Sequence, residues 1–293
     1  MIVVTAPTGR ISSRLLRLLL DEDRHDLRVI ARDPDRLPAD VRKKVQVVVG
    51  SHSEPAVIDR AFRGADAVFW LLPPNGSATD RTAAKVAFAQ AAVDAFARGD
   101  VGRVVGASNL GRGTLMAGRA GLATLSLAVD DSIAATGVPY RALALPGFMD
   151  NVGYQARGIV DGGVLAEAMD PDRRLPAVAT RDIAAVAARL LVDESWTGFE
   201  EVPVLGPEDL SPAERAAILT DVLGRPVRYQ QLSLDALRAR LVGQGWSEVM
   251  AQAMVEMTIA KNEGLDNGVE RTTENSTPTT FREWCGEFFS PAR

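Results

Sequence analysis

The segment Thr5-Ala6-Pro7-Thr8-Gly9-Arg10-Ile11-Ser12 follows the apolar run Ile2-Val3-Val4 and opens a stretch with Ile11, Leu15, Leu18 and Leu19 on one helical face. A strand that turns sharply into a helix aims backbone N–H groups and the positive helix end at a pyrophosphate. Three glycines usually permit the tight turn, the phosphate approach and the helix–sheet contact. Here only Gly9 is kept, with Ala6 and Ser12 in the other two places. Taken alone the motif is weak, and an ordinary α/β loop is the competing reading. The next strand ends in Ile30-Ala31-Arg32-Asp33, where a site preferring NAD carries an acid for the ribose hydroxyls. An arginine suits a 2′-phosphate instead, through a charge-assisted, bidentate contact, and Arg10 adds a second positive group. A dinucleotide at this position is therefore expected to be NADP(H), unless Arg32 merely pairs with Asp33 or Asp35 on the surface.

Other chemistry has few residues to draw on. With Cys285 as the only cysteine and His25 and His52 as the only histidines, neither an internal disulfide nor a structural zinc site is expected. Asp130-Asp131 is the only charged feature in the second half of its helix. A solvated helix face is the favoured reading there, against a general acid or base.

The elements that must position these residues alternate regularly. Strands are predicted at Ile2–Thr5, Leu27–Ala31, Val45–Val49, Ala67–Trp70, Arg103–Ala107 and Tyr140–Leu145. Helices are predicted at Arg10–Leu20, Glu54–Phe62, Thr79–Ala97 and Leu122–Ala135. Short apolar strands separated by helices predict an α/β fold, a Rossmann-like doubly wound parallel sheet covered on both faces. After Pro146-Gly147 the pattern loosens, with loops and short strands expected over Gly158–Pro176. A helix over Arg181–Val192 capped by Thr180 follows, then a strand at Glu201–Leu205 and a capping box at Ser211-Pro212-Ala213-Glu214. A small strand at Val227–Gln230 and helices near Leu234–Leu241 and Ser247–Ala260 complete the prediction. The expected division is a nucleotide-binding domain over 1–147 and a smaller, mostly helical substrate lobe over 148–293, with 180–205 returning to the first.

Apolar residues make up 46% of the chain and charged residues 24%, which excludes extensive disorder. A net charge of −5 supplies no field for nucleic acid or anionic lipid. No apolar run reaches the roughly 18–20 residues that a membrane span needs, and Met1 runs straight into a strand, with no signal-peptide pattern. The expectation is a soluble cytoplasmic protein, monomeric or homodimeric.

These landmarks together resemble the NmrA-like group of atypical short-chain dehydrogenases/reductases, which includes NAD(P)H-dependent quinone reductases and a redox-sensing regulator. The opening Thr-Gly-Ala-Thr-Gly-x-x-Gly of that family is matched by residues Thr5 to Ser12, and its turn after the second strand by Arg32-Asp33-Pro34. Further matches are Ala61-Phe62-Arg63-Gly64-Ala65-Asp66-Ala67-Val68-Phe69, Leu71-Leu72-Pro73-Pro74, Gly137-Val138-Pro139-Tyr140, and Leu145-Pro146-Gly147-Phe148-Met149-Asp150-Asn151. Arg181-Asp182-Ile183-Ala184 and Leu205-Gly206-Pro207-Glu208 come later. The resemblance implies that Thr8, Gly9, Arg10 and Ile11 embrace the pyrophosphate and Arg32 the adenosine phosphate. Leu71, Leu72 and Pro73 would line the sugar and nicotinamide side, Ala107 and Ser108 the nicotinamide ribose, and Pro146 and Phe148 would flank the ring. Two departures bear on the cofactor. Ala6 and Pro7 alter the phosphate turn, and Gly50-Ser51 stands where the family often has Gly-Asp, with His52 beyond.

The Tyr-x-x-x-Lys pair of the typical short-chain enzymes is missing from the helical region Arg119 to Ala135. Without that donor, the easiest reduction is of an acceptor that delocalises its own charge, such as a quinone or a conjugated carbonyl. Ser108, Asn109, Asn151 and Tyr154 are the candidates for orienting it. Phe148, Met149, Trp246, Met250, Met254 and Met257 are candidates for an apolar pocket wall, with core packing as the default for the methionines. The leading expectation is an NADPH-dependent reductase of a small quinone-like or conjugated aromatic carbonyl compound. The alternatives are a non-redox cyclase or isomerase, and an NADP-sensing regulator without turnover.

Overall fold

In the computed structural model, which describes residues 1–22, 25–72 and 75–290, the chain opens with strand β1 (Ile2–Val4), helix α1 (Arg10–Glu22) and strand β2 (Leu27–Ala31). Helix α2 (Ala39–Arg42), β3 (Gln46–Val49), α3 (Pro55–Phe62) and β4 (Ala65–Trp70) follow. Next come α4 (Phe88–Ala97), β5 (Val101–Asn109), α5 (Leu122–Ala134) and β6 (Tyr140–Leu145). Strand β7 (Gly147–Phe148), α6 (Ala156–Gly162), β8 (Val164–Glu167), β9 (Leu175–Val178), α7 (Thr180–Val192) and β10 (Phe199–Pro203) form the middle of the chain. It closes with β11 (Asp209–Leu210), α8 (Pro212–Leu223), β12 (Arg228–Gln231), α9 (Leu234–Gly243), α10 (Glu248–Asn262) and α11 (Phe281–Phe289).

Seven strands form one parallel sheet in the order β10-β6-β5-β4-β1-β2-β3. The order reverses between β1 and β4, the topological switch outside which ligands bind at the carboxyl ends. Alternation along the strands divides the core. Ile2, Val4 and Val105 meet Leu15 and Leu19 of α1 and Ile183 and Ala187 of α7 on one face. On the other, Val3, Val68 and Val104 meet Ile58 of α3, Ala92 of α4 and Ile133 of α5. The second lobe has its own core, in which Met149, Leu165 and Leu219 surround Phe281, Trp284 and Cys285.

Several expectations change. Thr180 does not cap α7 through its side chain. The hydroxyl donates to the buried Asp150 carboxylate instead, at 2.8 Å, and the helix has no side-chain cap. Short strands do appear in the region 158–176, as β8 and the start of β9, but the region also holds most of α6, and a further helix, α11, forms after Thr280. Its start carries a capping box, Thr280 with Glu283, the same device as Ser211 with Glu214. The helix read over Thr79–Ala97 is not continuous α-helix, because residues Ala83–Ala87 take a π-helical turn before α4.

Close approaches join the two lobes, among them those at Gly121 and Gly76. At Gly121, φ is +52° and a Cβ would come within 2.0 Å of the Ala253 carbonyl, so α10 rests directly on the start of α5. At Gly76, a Cβ would lie 2.7 Å from the Trp246 ring, and Ser247 N donates to Gly76 O at 2.9 Å. No described helix is long and apolar enough to cross a membrane.

Candidate functional site

The loop between β1 and α1 is held from behind. Thr5 is fully buried; its hydroxyl accepts from Leu71 N at 2.8 Å and donates to Phe69 O at 3.1 Å, fixing the ends of β1 and β4 together. Ser12, in the third glycine place, is also buried, and its hydroxyl donates to Thr5 O at 2.9 Å. The small polar side chain therefore does what a glycine contact would do, with its hydroxyl satisfied. Ala6 stands at φ +47°, the only left-handed residue other than glycine among those described. The backbone keeps the turn that a glycine would adopt freely, at a strain of about 1–2 kcal/mol. Gly9 N closes the turn on Ala6 O at 2.9 Å, and Ser13 N reaches Gly9 O. The N–H groups of Arg10, Ile11 and Ser12 thus open the helix with no intrahelical acceptor.

Charge is gathered at this mouth. The Arg10 guanidinium lies 3.7 Å from Asp150 Oδ1 and 5.0 Å over the Tyr154 ring, and Arg14 is 3.9 Å from the same oxygen. Asp150 is buried and also accepts from Thr180 N at 2.9 Å. Arg32, exposed at the end of β2, forms no ion pair among the described residues. The acids weighed as its partners are engaged elsewhere, Asp33 with the N–H of Asp35 and the Asp35 carboxylate with Arg42. Beside it, His52 packs edge-on against Trp70 and Phe88, at ring distances of 5.2 and 4.9 Å. Burial and the nearby Arg32 charge push the imidazole down to about 4, against a hydrogen bond with the Leu71 backbone.

A second polar group sits at the carboxyl end of β5. Ser108 Oγ donates to Asp130 Oδ2, and Tyr140 Oη donates to Asp130 Oδ1 at 2.6 Å. All three side chains are buried. Ser126 and Asp130, one turn apart, share the inner face of α5, and Lys85 Nζ donates to Ser126 Oγ. Burial pushes the Asp130 carboxyl up to about 6, although its hydrogen bonds from Ser108 and Tyr140 oppose this. Burial likewise pulls the Lys85 ammonium down to about 8, with the Asp130 charge opposing. Asp130 is thus not the solvated face expected of Asp130-Asp131. Only Asp131 is, paired with Arg112 at 2.7 Å and largely exposed.

Thr8, Gly9, Arg10 and Ile11 open α1, with Ile11 buried so that only its backbone faces the mouth. Leu71 and Leu72 follow β4, Ala107, Ser108 and Asn109 end β5, and Pro146 and Phe148 follow β6, all at the carboxyl edge. Pro73 lies outside the described residues. Asn151 is exposed and Tyr154 lies beside Arg10, 74% exposed, whereas the contact of Ser108 is with Asp130. Met250 is core, and Trp246 covers Gly76. Lys85, Ser126, Asp130 and Tyr140 were not foreseen as one group. The available signal was Lys85 itself, the only lysine between Lys44 and Lys261 in an arginine-rich chain. The π-helical turn that re-aims it is a feature frequent at functional sites.

A glycine-like turn kept under strain, open helix N–H groups and an arginine after β2 with no ion pair among the described residues fit a dinucleotide. The fold and this mouth define a nucleotide-binding oxidoreductase of the Rossmann type. The chain belongs to the NAD(P)H-binding, NmrA-like family, whose model matches residues 7–194. It is 30% identical to a (4-alkanoyl-5-oxo-2,5-dihydrofuran-3-yl)methyl phosphate reductase of Streptomyces griseus, over 98% of this chain and 97% of that protein. It is 29% identical to an NAD(P)H azoreductase of Xenophilus azovorans, over 88% and 86%. In structure it is similar to the NADPH-dependent quinone oxidoreductase of Escherichia coli solved with NADPH, with a TM-score of 0.81 and 19% identity, covering 99% of this chain and 100% of that one.

Proposed function

We propose that this protein is an NADPH-dependent reductase of a quinone-like or conjugated carbonyl acceptor. The observation that carries the cofactor half is Arg32. It is exposed at the end of β2 and unpaired among the described residues, where a guanidinium receives a 2′-phosphate and rejects the ribose-only cofactor. The E. coli structure, solved with NADPH, supports the same choice. On binding, the cofactor would supply a hydride. Thr8, Gly9, Arg10 and Ile11 would hold its pyrophosphate, Arg32 its 2′-phosphate, and Leu71, Leu72, Ala107, Pro146 and Phe148 its nicotinamide side.

The acceptor half rests on what the chain lacks and on its relatives. No tyrosine or lysine lies on α5, so an acceptor whose developing charge is already delocalised needs the least help. The reductase of S. griseus acts, by its name, on an unsaturated lactone bearing an acyl group, and the azoreductase on another conjugated system. Ser108, Asn109, Asn151 and Tyr154 are the proposed orienting groups.

The test is a paired fluorescence titration with NADPH and NADH, repeated for Arg32→Ala, with NADPH oxidation followed on a quinone and enone panel. NADPH should bind at least tenfold more tightly than NADH, and the variant should lose most of that ratio, about 1.4 kcal/mol or more. Unchanged selectivity would remove Arg32 from the site. Tight NADPH binding without oxidation on any acceptor would turn the reading toward a nucleotide sensor.

A further inference from the structure

We propose that Asp130 and Ser108 form a two-group proton relay, in which the Ser108 hydroxyl gives its hydrogen to the reduced acceptor and Asp130 replaces it. The inference rests on the reductase reading above and assigns the proton source that reading leaves open. Ser108 is the group that touches the acceptor; Asp130 acts through it.

The argument is one of hydrogen-bond direction. A serine hydroxyl has a single hydrogen. While Asp130 is a carboxylate, that hydrogen points inward to Oδ2, and only lone pairs face the acceptor. Once Asp130 is protonated, its own O–H donates to Ser108 Oγ, and the serine hydrogen turns outward. Tyr140 holds the other oxygen, Oδ1, at 2.6 Å in both states. The phenol is fixed because Gly106 leaves it room: a Cβ there would come within 2.4 Å of Tyr140 Oη. Hence the carboxyl cannot swing away, and its protonation sets the direction of one hydroxyl.

The surroundings keep both states within reach. Around Asp130 stand Ser108 of β5, Tyr140 of β6, Ser126 of its own helix with Lys85 bonded to it, and beyond them Arg112 and Glu201. Arg112 favours the carboxylate, Glu201 the acid, and burial outweighs both, leaving the group near 6. A donor matched to a pH near neutrality is the efficient one.

In the step itself, the acceptor carbon receives a hydride, and its π pair moves to the conjugated oxygen. That oxygen bonds to the Ser108 hydrogen as the serine O–H breaks, and Ser108 Oγ takes the Asp130 proton. The carboxylate left behind is held by Tyr140 beside the Lys85 ammonium. Water returns one proton after the product leaves, so each turnover consumes one NADPH and one solvent proton.

Two measurements test the relay. The first is infrared titration of the NADPH complex, which needs no turnover. A protonated-carboxyl band should appear as pH falls through about 6 and be absent from Asp130→Asn. The second is NADPH oxidation between pH 5 and 8 with 2-cyclohexenone and with menadione. Wild-type turnover of the enone should fall tenfold per pH unit above the midpoint. Asp130→Asn and Ser108→Ala should flatten that profile and slow the enone by about 100-fold at low pH, while menadione, which spreads its own charge, slows by less than tenfold. NADPH affinity should stay within twofold in Asp130→Asn, which lies behind Ser108 and is itself no assigned cofactor contact. A band that does not titrate between pH 5 and 7, or variants that keep the wild-type profile on both acceptors, would overturn the relay and leave the reductase reading intact. Wild-type protein that binds NADPH but oxidises it with neither acceptor would remove both.

Discussion

The mouth of α1 and the cluster beneath α5 stand at the same edge of the sheet, but they are made from different material. The mouth is a run of consecutive backbone groups, Ala6 to Ser12, braced by Thr5. The cluster is made of side chains from four separate segments: Lys85, Ser108, Ser126 with Asp130, and Tyr140. A backbone site depends on shape and tolerates substitution wherever the turn survives, as Ala6 and Ser12 show. A side-chain site depends on protonation and on keeping each partner. The difference teaches where each should fail.

The largest contrast should appear in stability against pH. His52, beside the mouth, has its folded value held down to about 4 from 6.5. The stability it contributes is present above 6.5 and is lost as pH falls through about 4, roughly 3 kcal/mol in all. Asp130 has the opposite sign. Its value is raised from 3.8 to about 6, so its stability is full below 3.8 and declines as pH rises through 6. Urea unfolding from pH 4 to 8 should therefore show His52→Phe relatively more stable at the acid end. Asp130→Asn should improve against wild type toward pH 8, by up to about 3 kcal/mol. Equal slopes in the two variants would abolish the contrast.

Gly9→Val comes next. A branched side chain at the mouth, where even a Cβ lies 3.1 Å from Ala6 O, should weaken NADPH binding by about 100-fold, or 2.7 kcal/mol. The infrared titration of Asp130 should not move. Gly106→Ala is its counterpart, since it forces Tyr140 off Asp130. Overpacking of this kind should cost about 1–3 kcal/mol in thermal unfolding, with NADPH affinity nearly unchanged. Loss of NADPH affinity in this variant would show that the two regions are one unit. The smallest effect belongs to Ala6→Gly, which relieves the left-handed strain and should stabilise the folded protein by about 1 kcal/mol in thermal unfolding; weaker NADPH binding in this variant would mean that the alanine methyl itself packs on the ligand.

The same contrast explains what could be read before the structure. Strand β6 was legible to the residue, because a short, mostly apolar run bounded by Pro139 and Pro146 leaves little choice of ends. The order of the strands through β6, the capping box at Ser211 and the turn at Gly9 were legible too, since each is written in contiguous residues, whereas the four-residue helix α2 was too short to leave a periodic pattern. Lys85 was not. Its alanine-rich surroundings read as one regular helix, and only the π-helical turn at Ala83–Ala87 carries it toward Ser126. Asp130 was hidden by Asp131, because two adjacent acids look like one solvated face until packing sends one inward. Thr180 was misread for a related reason. Its local signal for capping loses to a carboxylate thirty residues earlier, Asp150, which no local pattern announces.

The contact of Trp246 with Gly76 bears on how such a chain can diversify. The indole fills the volume that any larger residue at 76 would need, and Ser247 is bonded to the same loop. Drift at this seam must therefore be paired, with a bulkier residue on one side matched by a smaller one on the other. A lobe transplanted from a relative would carry its own version of that fit, so chimeras joined elsewhere should still be matched at 76 and 246.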